Sequence, residues 1–482
     1  MRSTIASTVS ISLHNKGVTY KVTTKAKKND KNPGLPDPNR IDAAPTKELL
    51  IQSLVKDIPL TRAIIDLVDN SVDGARAIRG KKSYSGFFVH LRITKDRFEI
   101  EDNCGGMSVE IAREYAFRFG RPSDMPSRLQ TSHSVGQFGV GMKRAIFKLG
   151  RAFTVESTTS NSHFVVNEDV DAWKVRKDAE GHDIWSFAFT PPVAEGEKQD
   201  PKKLGTKITV TRLIPDVAKE MNTDSFLTEL SSELAAAHEL SIGRGLEMKL
   251  NGVAIPKEPS KLFVSTKVQP AKKRFQKTVN KTNIDIVIYA GIYRSRPSKA
   301  GGWYVYCNDR LILRADQSAI TGWGEKIGER MPKFHPQFAR FRGYVFLDCD
   351  NPALLPWNTT KTGLDTDSDL YKGAKREMNI LGRPVIDFLN DLDREKNRVS
   401  RPLHSLVEKM DDDEDAHVLL TDVKRIGAFV CPVRRKVEKP DSVDIKYKRP
   451  IQEVNVLKKF FAVSKASEVG EKTFDYVYEL EG

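Results

Sequence analysis

The chain has 482 residues and a formal charge of +14, from 78 Lys and Arg against 64 Asp and Glu, and 39% of its residues are apolar. The length exceeds one typical domain and predicts two or three. No apolar run approaches the ~18 residues of a membrane span, and Arg2 to Leu13 is broken by Ser and Thr, so neither a membrane anchor nor a signal peptide is expected. Cys104, Cys307, Cys349 and Cys431 form no CxxC pair and no metal spacing, which fits a reducing, cytoplasmic or nuclear setting.

In chain order, residues 1–13 read as a strand and Lys25 to Pro45 as a basic connector rich in Pro and Asn. Thr46 caps a helix to about Val55. A longer amphipathic helix follows over about 60–79, with Ile64, Ile65, Leu67, Val68 and Val72 apolar. Asp66, Asn70 and Asp73 stand at i, i+4 and i+7 and share one stripe of that helix. An amide flanked by carboxylates suits Mg²⁺, which takes oxygen ligands and keeps several waters, although a solvated polar face carries the same residue types.

The run Phe98 to Glu101 reads as a strand ending in Asp102-Asn103-Cys104-Gly105-Gly106-Met107. Paired glycines let a ligand approach the backbone. A carboxylate there can accept from an exocyclic amine such as that of adenine; an ordinary Asp-Asn turn is the alternative. From Glu114 to His133 there is little regular pattern, and a long loop inside a domain is usually functional. Next comes Gly136-Gln137-Phe138-Gly139-Val140-Gly141-Met142-Lys143, whose G-x-x-G-x-G spacing runs into a helical pattern. Glycine-loop N–H groups and a helix N-terminus together attract phosphate. The loop has neither the G-K-[ST] ending of a P-loop nor the strand and ribose acid of a dinucleotide site.

These three segments, with Leu204-Gly205-Thr206-Lys207-Ile208-Thr209-Val210 as a late strand, resemble the GHKL ATPase superfamily of gyrase, heat-shock-90-type chaperones, histidine kinases and MutL. The resemblance implies a Bergerat-type α/β sandwich that binds ATP and Mg²⁺. By it, Asn70 would hold the metal, Asp102 would read the adenine amine, and Gly106 and Met107 would line the base pocket. Gly136 through Gly141, including Gln137, Phe138, Gly139 and Val140, would wrap the phosphates with Lys143 and Asp73 nearby. Thr206 would support Asp102 through water, and the 114–133 loop would be the lid.

One departure concerns the general base. The family usually has Glu where this chain has Asp66, one methylene shorter, and a base must lie within about 3 Å of its proton, directly or through one water. Slow hydrolysis is therefore expected. Asp69 lies off the stripe and is the poorer candidate.

A helical run from Phe226 to Leu240 leads out of the nucleotide domain, and strand-like runs follow at Ile284–Tyr289, Gly302–Cys307 and Tyr344–Leu347. Trp303 to Ile312 resembles the strand-turn-strand of an S5-like transducer domain, closest to the MORC branch. In that resemblance Lys361, in the loop Pro356 to Gly363, would reach back to the γ-phosphate as a catalytic cation; an exposed turn lysine is the alternative. Residues 374–397 read as a helix. The implied organisation is an N-terminal segment 1–45, an ATPase domain 46–240, a smaller α/β transducer 241–397 and a C-terminal extension 398–482. The acidic run Asp411 to Asp415 reads as an exposed turn.

Charge is uneven. Lys257 to Lys299 holds eleven Lys or Arg against Glu258 and Asp285, a local +9. Lys424 to Lys465 holds twelve against Glu438, Asp441, Asp444 and Glu453, a local +8. Such blocks read as phosphate-seeking surfaces, and DNA held through its backbone is the expected partner. Phe275, Tyr447 and Phe460 are too sparse for single-strand stacking. The resulting expectation is an ATP-gated homodimeric clamp on DNA. The alternatives are a heat-shock-type chaperone, against which the basic charge argues, and a partner-regulating ATPase without nucleic acid. A histidine kinase needs a phospho-accepting His on a helix before the ATPase, and only His14 precedes the first motif. A topoisomerase would need more length than remains.

Overall fold

The chain divides into two units, Met1–Asp57 and Ile58–Gly482. A computed structural model describes residues 45–56, 58–120, 133–136, 139–294, 298–325, 331–395, 403, 416–432 and 445–481. The expected strand at 1–13 and the connector before residue 45, together with Gln137, Phe138, the middle of the lid loop and the acidic run 411–415, lie outside the described residues.

In the first unit the described element is helix α1 (Lys47–Lys56), capped by Thr46, whose hydroxyl accepts from the Leu49 N–H at 3.2 Å. The second unit opens with α2 (Leu60–Arg79), which starts after Pro59 and stops at Gly80, whose positive φ of 61° suits glycine. Ile64, Ile65, Leu67, Val68 and Val72 are all buried, as their helical spacing requires.

Beneath α2 lies a twisted sheet. Its strands are β1 (Phe88–Ile93), β2 (Arg97–Asp102), β3 (Gly150–Thr158), β4 (Ser162–Asp169), β5 (Phe189–Glu195), β6 (Gly205–Leu213), β7 (Glu247–Leu250) and β8 (Val253–Ala254), in the order β5-β4-β3-β6-β2-β1-β7-β8. All neighbours are antiparallel except β1 and β7. This sheet extends to Ala254, past residue 240, where the sequence suggests a domain boundary. The short turn α3 (Val109–Ile111) continues into a π-helical turn at Ala112–Ala116, and α4 (Gly141–Leu149) packs against α2. Helices α5 (Val170–Val175), α6 (Pro215–Met221), α7 (Asp224–Ala237) and α8 (Glu239–Gly243) complete this half.

A second sheet has the order β10-β11-β14-β12-β13, from β10 (Ala271–Val279), β11 (Thr282–Ile292), β12 (Gly302–Cys307), β13 (Arg310–Asp316) and β14 (Phe341–Asp348). Short β9 (Lys261–Phe263) pairs instead with β15 (His417–Leu419). Helix α9 (Asp369–Arg394) lies across the second sheet, and Gly382 lets it close on Trp303, since a Cβ there would stand 3.1 Å from the indole. Asn308 and Asp309 both have positive φ, 47° and 65°, the two-residue geometry that joins twisted strands β12 and β13. The chain ends in a helical hairpin, α10 (Ile451–Phe461) and α11 (Ala466–Glu481). Among the described residues no helix is long and apolar enough to cross a membrane. The mixed α/β architecture, a large sheet with helices followed by a smaller α/β domain, agrees with the expected fold class.

Candidate nucleotide site

Helix α2, the end of β2, the start of α4 and a loop of the second domain surround a cleft of about 340 Å³, a volume that suits a small-molecule ligand. Two glycines set its geometry. A Cβ on Gly74 would stand 2.5 Å from the Cys104 carbonyl oxygen, so this residue lets α2 press against the turn after β2. Gly106 has φ 70°, and a Cβ there would lie 2.2 Å from the Thr158 carbonyl oxygen, so the turn folds flat onto β3.

That close approach places Asp102 at one end of the cleft. Its Oδ2 accepts from the Ser71 hydroxyl at 2.7 Å, and its Oδ1 accepts from the backbone N–H groups of Cys104 at 2.8 Å and Thr206 at 3.3 Å. Burial pushes the Asp102 carboxyl up, against these donors. Oδ2 keeps a lone pair for one further donor. Thr206 therefore touches Asp102 directly through its main chain, where the resemblance implied water. Its hydroxyl meets Ser157 Oγ at 2.9 Å, and Ser157 in turn accepts from the Met107 N–H at 2.8 Å. Ile100, Met107, Ile111 and Ile208 give this end apolar walls.

The other end is polar. Asp73 turns its carboxylate onto the loop ahead of α4, accepting from the N–H groups of Val135 at 2.8 Å and Gly136 at 2.7 Å, while burial pushes its carboxyl up. It shapes the loop ahead of α4 from below. Asn70 is exposed to the cleft, and a Cβ on Gly136 would crowd its Oδ1 at 3.1 Å and Asp73 Oδ2 at 3.2 Å. A side-chain oxygen on a face kept open by glycine fits a Mg²⁺ that takes one or two protein ligands and completes its shell from phosphate and water. Among the described residues no group of three His, Cys, Asp or Glu side chains could hold a metal alone, so a phosphate-completed shell is the fit.

Gly139, at φ 66°, and Val140 lead into Gly141, the first residue of α4, and no side chain caps this helix. The N–H groups of its first turn are the standard anion-binding end of a helix. Lys143 is buried, and its ammonium donates to the carbonyl oxygens of Ala116, at 2.7 Å, and Gly139. Burial pushes its pKa down to about 7.

Asp66 sits beneath Gly141, and both of its oxygens are engaged. Oδ2 pairs with Arg144 Nη2, and Oδ1 accepts from Lys361 Nζ at 3.1 Å. Lys361 lies on the far loop at φ 53°, buried rather than exposed, and also donates to Asp69 Oδ2 at 2.7 Å. Asp69 Oδ1 accepts from Arg310 Nε at 2.9 Å and faces His238 at 3.5 Å. Burial pushes the Asp69 carboxyl up, but Lys361, Arg310 and His238 outweigh it and hold it well below the usual range. Burial likewise opposes the Lys361 charge, and Asp66 and Asp69 overcome it and hold its pKa above normal.

The structure thus brings Asp66, Asn70, Asp73, Asp102, Gly106, Met107, Gly136, Gly139, Val140, Gly141, Lys143, Thr206 and Lys361 to one cleft. Sequence reasoning missed Ser71, Ser157, Arg144, Arg310 and His238. Arg144 carried a signal, as the second half of a basic pair one turn into the helix. Arg310 and His238, the partners of Asp69 besides Lys361, carried none, since they lie about 170 to 240 residues away in sequence.

A buried acid at one end, a glycine loop and an uncapped helix at the other, and an amide between them are the features that a nucleotide-binding site would use. Residues 58–196 match the family model described as histidine kinase-, DNA gyrase B-, and HSP90-like ATPase. This match supports the GHKL superfamily and an ATP-binding ATPase module; Thr206 and Lys361 lie beyond the matched segment. No curated protein matches the chain.

Proposed function

We propose that the chain is a Mg-ATP-dependent GHKL ATPase in which the nucleotide couples the ATPase half to the second, transducer-like half, and that two copies close as a clamp on DNA. The observation that carries it is Lys361: a second-domain cation that lines the same cleft as Asn70, Asp102 and the glycine loop. Asp102 would accept from the adenine amine, the α4 N-terminus and Lys143 would meet the phosphates, and Asn70 would hold Mg²⁺, which neutralises phosphate charge. Asp66 would take the proton of the attacking water once one of its oxygens is freed, and its short reach keeps turnover slow.

The DNA arm rests on the +14 charge and the two basic blocks. Within the first block, Lys273 pairs with Glu377 at 2.5 Å, and Lys272 and Lys277 donate to the carbonyl oxygens of Val423 and Asp369 at 2.5 and 2.6 Å. The weight therefore falls on exposed cations of both blocks, such as Lys267 and Lys281 of the first and Lys448, Arg449 and Lys459 of the second.

Calorimetry with Mg-ATP and a mass measurement with a non-hydrolysable analogue test the proposal together. The parent should bind Mg-ATP, Asn70→Ala should lose the metal-dependent part of the affinity, and the analogue but not ADP should produce a dimer. Duplex DNA affinity should fall with salt by about 0.9 log units per log unit for each phosphate neutralised. Unchanged Mg-ATP affinity in Asn70→Ala removes the metal assignment, and a monomer without salt-sensitive DNA binding removes the clamp.

A further inference from the structure

The buried charges behind the cleft form an alternating string: Arg144, Asp66, Lys361, Asp69, Arg310. Its links are the Arg144–Asp66 pair, Lys361 to Asp66 at 3.1 Å and to Asp69 at 2.7 Å, and Arg310 to Asp69 at 2.9 Å. All five side chains are buried. The string runs from α4 through α2 to the Lys361 loop and β13, so it crosses from the ATPase half into the second domain. It holds three cations and two carboxylates, and the central cation is shared by both acids.

This arrangement has a consequence for movement. A buried carboxylate that loses its only counter-ion pays a large desolvation penalty, so a cation held alone by such an acid is trapped there. Lys361 is not trapped. If it turns into the cleft, Asp66 keeps Arg144 and Asp69 keeps Arg310. Arg144 is further anchored by donating to the Thr359 carbonyl oxygen at 3.2 Å, in the loop that carries Lys361. The surplus positive charge of the string suits an arriving anion.

We infer that Arg144 and Arg310 are positioning residues that serve as reserve counter-ions: they hold Asp66 and Asp69 while Lys361 leaves them for the terminal phosphate of the nucleotide. The inference rests on the proposed ATP site, and it assigns to the two arginines the discrimination between ATP and ADP. Removing Arg144 strands Asp66 when Lys361 moves, so Lys361 stays on the acid and the terminal phosphate loses its partner. Replacing Asp66 as well removes the stranded charge and releases Lys361 again.

The test is the affinity ratio between a non-hydrolysable ATP analogue and ADP, both with Mg²⁺, measured by calorimetry. The parent should favour the analogue by roughly 5- to 150-fold, the usual range of a coupling of this kind. Lys361→Met and Arg144→Gln should bring the ratio close to one while ADP affinity is kept. The double variant Arg144→Gln with Asp66→Asn should restore most of it, which a merely structural role for Arg144 would not do. Arg310→Gln and its rescue by Asp69→Asn provide the same comparison from the other end, should the Arg144 variant fail to fold. A parental ratio near one, an Arg144→Gln ratio equal to the parent's, or a double variant without rescue overturns the inference and leaves the ATP site standing. A parent that binds neither nucleotide overturns the ATP site itself.

Discussion

Among the described residues Lys143 has no carboxylate beside it: its ammonium has two carbonyl oxygens and the Phe119 ring at 5.8 Å, and burial brings its pKa down to about 7. Without nucleotide, the unfolded chain binds more protons here than the folded one between pH 7 and about 10.4, so this residue makes stability rise with pH in that window. A polyphosphate at the α4 N-terminus would reverse the shift and recharge the lysine. Nucleotide binding at pH 8 should then take up most of one proton, read as calorimetric heats that differ between buffers of unlike ionisation enthalpy. Lys143→Met should abolish the difference, and a parental heat independent of buffer would exclude the role. Asp66 poses the opposite case, an acid with both oxygens already occupied. Asp66→Asn should bind nucleotide but lose about 10²–10⁴ in turnover, while Asp66→Glu should hydrolyse at least as fast as the parent. An unchanged rate in Asp66→Asn would place the base elsewhere.

At the level of elements, the turn after β2 carries the site's most exacting backbone. Gly106→Ala meets both a positive φ and the Thr158 carbonyl oxygen, so it should cost about 1 to 3 kcal/mol and open the apolar end of the cleft. A denaturation midpoint within error of the parent's would show that the turn relaxes freely. Such elements were legible because their signals are local. The apolar spacing of Ile64, Leu67, Val68 and Val72 gives α2 directly, Pro59 and Gly80 bound it, and the paired glycines mark the turn. Strand β6 was expected from the resemblance, but β7 and β8 were not assigned to the first sheet, because the parallel pairing of β1 with β7 joins residues about 160 positions apart. Thr206 shows the same limit at finer grain: its neighbourhood to Asp102 could be expected, while the direct N–H contact depends on the β2–β6 register.

For the whole molecule, the seam between the two halves is electrostatic as well as packed. Arg76, on the last turns of α2, donates to the Asn308 carbonyl oxygen at 2.9 Å and pairs with Asp309 at 2.7 Å, which Arg244 also holds at 2.8 Å. Beside it stands the string centred on Lys361. No local pattern could reveal either set, since Lys361 and Asp66 are 295 residues apart. The pH dependence of this seam has a definite sign. Asp69 is held below its unfolded pKa, so its contribution is present above about pH 4 and is lost as pH falls through the folded value. Lys361 is held above its unfolded pKa, so its contribution is complete below about pH 10.4 and is lost as pH rises through the folded value. Asp73 and Asp102, shifted upward by burial, act in the opposite sense in acid, so the seam is isolated by subtracting a variant from the parent. Lys361→Met should remove the alkaline limb and shrink the acid limb in that difference, measured by urea denaturation from pH 3 to 11. Because Arg144 and Arg310 still cover the two acids, the loss at pH 7 should be smaller than the about 3–5 kcal/mol of stranding a buried charge. A full loss of that size would mean that the arginines do not hold Asp66 and Asp69 without the lysine, and that Lys361 is fixed in place as a structural ion.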